Sequence, residues 1–171
     1  MSALALPGYA TVSPWIASRD TAALLDFIKT VFDGDELARL PLEDGSIGHA
    51  EIRVGDTVLL AFDQRPGWPN TPSLLRVFVE DADATMDRAV AAGARVVTPP
   101  SDQAFGQRVG RVRDPFGNIW WISGVVEEVP PEEGMRRLSN PTYADAMREA
   151  QETLDRELSG RSDVVASPLV R

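Results

Sequence analysis

Residues 106–120 read Gly106-Gln107-Arg108-Val109-Gly110-Arg111-Val112-Arg113-Asp114-Pro115-Phe116-Gly117-Asn118-Ile119-Trp120. Val109 to Arg113 is extended, Asp114-Pro115-Phe116-Gly117 carries the Asp, Pro and Gly of a tight turn, and Ile119 to Ser123 is extended again. Upstream, Leu74 to Glu80 reads as a strand. Asp81-Ala82-Asp83 opens a helix carrying Met86 and Val90 that stops at Gly93, Arg95 to Thr98 is extended, and Pro99 to Phe105 reads as an irregular loop. The unit from 74 to 124 is therefore strand, helix, strand, strand, strand.

The same order stands earlier in the chain. Residues 12–18 form a strand, and from Asp20 a helical stripe of Leu24, Ile28 and Val31, widened by Leu25 and Phe32, runs to a stop at Gly34. Three extended runs follow, Glu36 to Leu42, Ile47 to Val54 and Thr57 to Phe62, joined by turns at Glu43-Asp44-Gly45 and Gly55-Asp56. Asp20 matches Asp81 and Gly55 matches Gly117, so an ordered duplication is the better reading. The organisation is a first βαβββ module at 10–63, a Pro-rich linker at 64–73, a second module at 74–124, and a tail at 125–171. In that tail an acidic, proline-broken connector precedes a helix from Tyr143 to Leu158, whose apolar stripe is Tyr143, Met147, Ala150, Leu154 and Leu158. The last dozen residues, from Gly160, read as frayed.

Composition narrows the function. The 171 residues are 43% hydrophobic and 25% charged, with a net charge of −9, no cysteine, one histidine (His49) and one lysine (Lys29). An acidic chain without clustered Lys and Arg argues against nucleic acid or an anionic membrane as partner. No apolar run approaches the ~18 residues of a membrane span, and no secretory start is visible, so a cytoplasmic protein is expected. Without cysteine there is no disulfide, thiolate metal site or cysteine nucleophile, and a single His excludes any site needing two imidazoles.

The paired βαβββ modules, the helix starts Ser18-Arg19-Asp20 and Val79-Glu80-Asp81, the run Ala91-Ala92-Gly93-Ala94-Arg95-Val96, and the stretch quoted above resemble the vicinal oxygen chelate superfamily. That group includes glyoxalase I, extradiol dioxygenases, fosfomycin resistance enzymes and bleomycin resistance proteins. The resemblance covers residues 10–124. It implies an α+β fold in which the modules' curved mixed sheets form a cup holding either a divalent metal or an organic ligand, here with an added C-terminal helix. The superfamily's enzymes place metal ligands early in the first strand and in the last strand of each module. Carried onto this chain, those positions are Ser13, Leu59, Leu74 and Trp121. Leu60 and Ala61 offer nothing better, and only Asp63 nearby could coordinate. Three of the four lack any donor, so no metal and no other cofactor is expected.

Strand alternation then names a lining for the cleft between the modules. Ser13 and Trp15 come from strand one, His49, Glu51 and Arg53 from strand three, and Leu74, Arg76 and Phe78 from strand five. Arg111 and Arg113 come from strand seven, Ile119 and Trp121 from strand eight. Trp15, Arg53, Arg76, Phe78, Arg111, Arg113 and Trp121 are the candidate ligand-binding residues. His49 and Glu51 are candidate acid/base groups, or a structural hydrogen bond. The aromatics could instead fill a dry core or a dimer interface, and Arg108, Arg111 and Arg113 could answer nearby carboxylates rather than a ligand. Trp68 lids the site or covers the module junction. The leading reading is a homodimeric, metal-independent binder of an aromatic or amphipathic small molecule, acting in sequestration or resistance. The alternatives are a metal-free enzyme and a non-catalytic interaction module.

Overall fold

The computed structural model describes residues 7–160. Its elements run β1 (Trp15–Ser18), α1 (Thr21–Phe32), β2 (Asp35–Pro41), β3 (Ile47–Val54), β4 (Thr57–Asp63), β5 (Leu74–Val79), α2 (Ala82–Ala91), β6 (Arg95–Asp102), β7 (Gln107–Arg113), β8 (Ile119–Val125), α3 (Pro131–Arg137) and α4 (Pro141–Leu158). The strands form two four-stranded sheets, ordered β1-β4-β3-β2 and β5-β8-β7-β6. The order repeats element for element, as the duplicated βαβββ pattern requires. In the first sheet β1 is parallel to β4, while β4–β3 and β3–β2 are antiparallel. The described residues divide into two compact units. One comprises the chain up to Leu75 with Asp87–Arg95 and Arg113–Trp120, the other Arg76–Met86, Val96–Val112 and the chain from Trp121.

In the first unit α1 starts where the Asp20 carboxylate accepts the Ala23 N–H and ends at Asp33, which adopts the left-handed φ of 53° and donates its N–H to Ile28 O. The helix stop expected at Gly34 therefore falls one residue earlier. Gly34 serves close approach instead, since a Cβ there would sit 2.9 Å from Ile28 and Ile52 side-chain carbons. Leu24, Leu25, Ile28 and Val31 are buried, as are Ala50 and Ile52 of β3. Asp63 does not point to a ligand: its two carboxylate oxygens accept the Thr21 and Ile47 N–H groups, each at 2.7 Å.

The Asp-Pro-Phe-Gly-Asn turn is held the same way. Asp114, 3% exposed, accepts the Phe116 and Asn118 backbone N–H groups on Oδ1 and the Asn118 Nδ2 and Trp120 Nε1 donors on Oδ2. Asn118 in turn accepts the Ser73 N–H, and the buried Trp120 ring lies 4.6 Å from that of Phe32. The motif is thus a structural clamp that satisfies buried donors.

In the second unit three sequence expectations are corrected. β6 runs on through Pro99 and Pro100 to Asp102 rather than dissolving into a loop. It is the edge strand of its sheet, the place in a sheet where proline is tolerated because one side of the strand has no ladder to break. The acidic connector contains α3, begun by Pro131 at its first turn with Glu132 and Glu133, and ended with Arg136 and Arg137, which suits the helix dipole. Gly134 admits the Phe105 ring, which a Cβ would meet at 2.2 Å. Helix α4 docks on its own chain. Thr153 Oγ1 lies 2.7 Å from Thr98 Oγ1, and the Ala150 carbonyl accepts from Arg111 Nη1 at 2.6 Å. Of the expected stripe, Tyr143, Met147, Ala150 and Leu154 are half-buried and Leu158 is exposed; the buried residue of the helix is Thr153. The reading of a frayed end falls mostly on residues 161–171, outside the described residues.

Candidate functional site

Alternation in the first unit puts Ile16, Ala50 and Ile52 inside and leaves Trp15, 50% exposed, on the face it shares with His49 and Glu51. The Trp15 and His49 rings meet edge to face at 5.5 Å, and Trp15 lies 5.5 Å from Phe62. Phe62 meets Trp68 at 6.0 Å, so the linker tryptophan extends this aromatic row. His49 Nε2 is 2.9 Å from Glu51 Oε1, and the Tyr9 hydroxyl donates to Glu51 Oε2. The Tyr9 hydroxyl, then His49, hold the Glu51 carboxyl below its ordinary range, while the same bond, reinforced by desolvation, raises the Tyr9 phenol. Tyr9 was not expected here, because it precedes the first strand and obeys no periodicity. An aromatic with a polar tip ahead of β1 was its one signal.

The β4 register corrects one position. Leu59 pairs with Ile52 and is buried on the core side, whereas Leu60 pairs with Trp15 and Glu51 and so lies on their face. The Gly55-Asp56 hairpin sets this, pairing Val54 directly with Thr57 and giving Gly55 a φ of 58°.

The second unit brings four expected residues together. Arg76 and Phe78 are exposed on alternate positions of β5, Phe78 at 60%. The Arg76 guanidinium lies over the Phe78 ring at 4.7 Å and over the Trp121 ring at 5.3 Å. Arg111 lies over Trp121 at 4.0 Å. Arg76 is oriented by Ser123 Oγ at 3.1 Å and Gln107 Oε1 at 2.6 Å, Arg111 by Thr98 Oγ1 at 3.1 Å and the Ala150 carbonyl. Arg111 is only 4% exposed, and burial lowers its pKa. Alternation placed it on an open face; α4 covers that face, which no strand pattern could report.

The remaining expected residues have other partners. Arg113 donates Nη1 to the Gly117 carbonyl at 2.9 Å, within the turn. Arg53 lies 3.9 Å from Asp35. Arg108 pairs with Asp83 at 2.5 Å and Asp102 at 3.0 Å, the carboxylate-answering alternative. Ile119, expected beside Trp121 on the open face, is buried at 2%. A cavity of about 470 Å³ lined by Phe105, Val125, Glu127, Glu128, Val129 and Pro130 contains none of the candidate residues. Among the described residues no group of three His, Asp or Glu side chains is placed to hold a metal. Ser13, the buried Leu59 or its neighbour Leu60, the exposed Leu74, and Trp121 supply one hydroxyl and no carboxylate or imidazole, a donor set that does not fit a divalent cation.

A model of the Glyoxalase/Bleomycin resistance protein/Dioxygenase superfamily matches residues 9–122. An uncharacterized protein of Mycobacterium bovis is 39% identical over 140 residues, covering 75% of this chain and 92% of that protein. A counterpart in Mycobacterium tuberculosis strain H37Rv is also 39% identical over 140 residues, covering 75% and 82%. Among solved structures, TioX from Micromonospora sp. ML1 is 26% identical with a TM-score of 0.56, covering 71% of this chain and 100% of that one. The fosfomycin resistance protein FosX from Mesorhizobium loti, 16% identical with a TM-score of 0.55 over 75% and 98%, shares the fold. With two sheets in one repeated order and that match across the βαβββ pair, the chain belongs to the glyoxalase/bleomycin resistance/dioxygenase superfamily.

Proposed function

We propose that this protein binds an aromatic or amphipathic small molecule without a metal, in the manner of the bleomycin resistance-like members of its superfamily, and sequesters it in the cytoplasm. The observation that carries this reading is Trp121. The Arg111 and Arg76 guanidiniums lie over its ring and the exposed Phe78 under Arg76, at a position that the resemblance assigns to a metal ligand of the superfamily's enzymes. Aromatic walls with a few oriented polar groups are the usual construction of an organic-ligand site. The acidic net charge disfavours nucleic acid and anionic membranes as partners, and a homodimer is the expected assembly.

A tryptophan-fluorescence screen of a diverse library on chelator-treated protein tests it. Hits should lose affinity at least tenfold in Trp121→Ala, and hits that survive the substitution unchanged would refute it. One observation favours a second reading, metal-free acid/base catalysis. The Tyr9–Glu51–His49 chain orients an imidazole, as a general base requires. Turnover of a ketone or epoxide that persists in chelator and disappears in Glu51→Gln would support catalysis over simple binding.

A further inference from the structure

The charge on the ligand follows from how this acidic chain places its arginines. Arg39 is paired with Glu36, Arg108 with Asp83 and Asp102, Arg137 with Glu127 and Glu133, and Arg148 with Asp145. Arg76 and Arg111 differ. Their hydrogen-bond acceptors are Ser123, Gln107, Thr98 and the Ala150 carbonyl, all neutral, and no carboxylate pairs with either among the described residues. A guanidinium stays protonated even when buried, so two positive charges share the Trp121 ring with no carboxylate paired to either among the described residues.

Two further donors lack acceptors in the same place. Arg111 Nε and Trp121 Nε1 are buried with no hydrogen-bond partner among the described residues. Such groups are rare in folded proteins and mark either strain or a missing partner. Arg76 is the exposed arm of the cluster. Its Nε and Nη2 are committed to Ser123 and Gln107, which fix the guanidinium plane and leave Nη1 directed to no acceptor among the described residues. A fixed fork with a free edge suits a planar two-oxygen anion, and its charge repels an ammonium group. The exposed Phe78 ring beside it supplies an apolar surface for an aromatic body.

We propose that the Arg76–Trp121–Arg111 cluster takes the carboxylate of an aromatic acid, the carboxylate on the free edge of Arg76 within the field of the buried Arg111, the ring against Phe78 and Trp121. This deepens the proposed function and rests on it. The test is isothermal titration of the full chain with three matched probes: 2-naphthoate, 2-naphthylmethanol and 2-naphthylmethylammonium. Naphthoate should bind at least tenfold more tightly than the alcohol, and the ammonium ion more weakly than both. Raising NaCl from 50 to 500 mM should weaken naphthoate several-fold and leave the alcohol unchanged. Arg111→Met breaks buried contacts with Thr98 and α4, so the exposed Arg76→Gln carries the test. It should bring naphthoate and alcohol within about twofold of each other at unchanged melting temperature. Equal binding of acid and alcohol, or tighter binding of the ammonium ion, would overturn the charge assignment and leave small-molecule binding standing. No heat from any probe up to millimolar concentration would overturn both.

Discussion

Replacing Asp114 with asparagine is the sharpest perturbation of the turn that joins β7 to β8. The carboxylate is buried and takes four donors at 2.8–2.9 Å, two on each oxygen. An amide has one oxygen. If it keeps the Phe116 and Asn118 backbone N–H groups, its NH2 group faces Asn118 Nδ2 and Trp120 Nε1, and donor meets donor. A hydrogen bond to a charged group contributes about 1.5–3 kcal/mol, so losing two costs about 3–6 kcal/mol. In a chain of this length each kcal/mol moves the midpoint by about 2–4 °C, giving a fall of about 6–24 °C. Near-UV circular dichroism follows the transition, because Trp120 is packed on Phe32 and loses its asymmetric environment on unfolding. A shift under about 2 °C would refute the clamp.

Lowering the pH should destabilise the protein through Glu36, whose carboxyl is held down at about 2 by Arg39 and then Lys29. Its native value lies below the unfolded one, so the stabilisation is present above about pH 4.5 and is lost as the pH falls toward 2. Partial exposure limits it to about 1 kcal/mol, and Glu36→Gln should flatten that part of an acid-denaturation profile. Thr153→Val removes the hydroxyl facing Thr98 and should cost about 1–2 kcal/mol in urea denaturation. Truncation after Gly124, which uncovers Thr98 and Arg111 together, should cost more than Thr153→Val; equal stability would refute the docked α4. Sedimentation equilibrium at micromolar concentration should return twice the 18.6 kDa of the chain, and a monomer there would end the homodimer reading.

The fold was legible because two periodicities changed in a fixed order twice. The alternation Leu74, Arg76, Phe78 outward against Val77 inward, and His49, Glu51 against Ala50, Ile52, survives intact because side-chain direction in a strand depends only on parity. What parity cannot report is what later elements cover. Arg111 is buried by a helix some forty residues downstream, through a threonine that no apolar stripe includes. Tyr9 reaches Glu51 from ahead of β1, and Leu60 replaces Leu59 because a two-residue hairpin sets the register. The prolines at 99, 100, 130 and 131 read as breakers, yet one pair sits in an edge strand and the other starts a helix.

The most direct measurement is titration of 2-naphthoate into chelator-treated wild-type protein and Trp121→Ala, with near-UV and far-UV dichroism establishing that both are folded. A saturable one-to-one heat in the wild type, unchanged by added zinc or manganese and weakened at least tenfold in Trp121→Ala, is the expected result. Binding that appears only with a divalent ion, or that is equal in the two proteins, would contradict metal-independent recognition at Trp121.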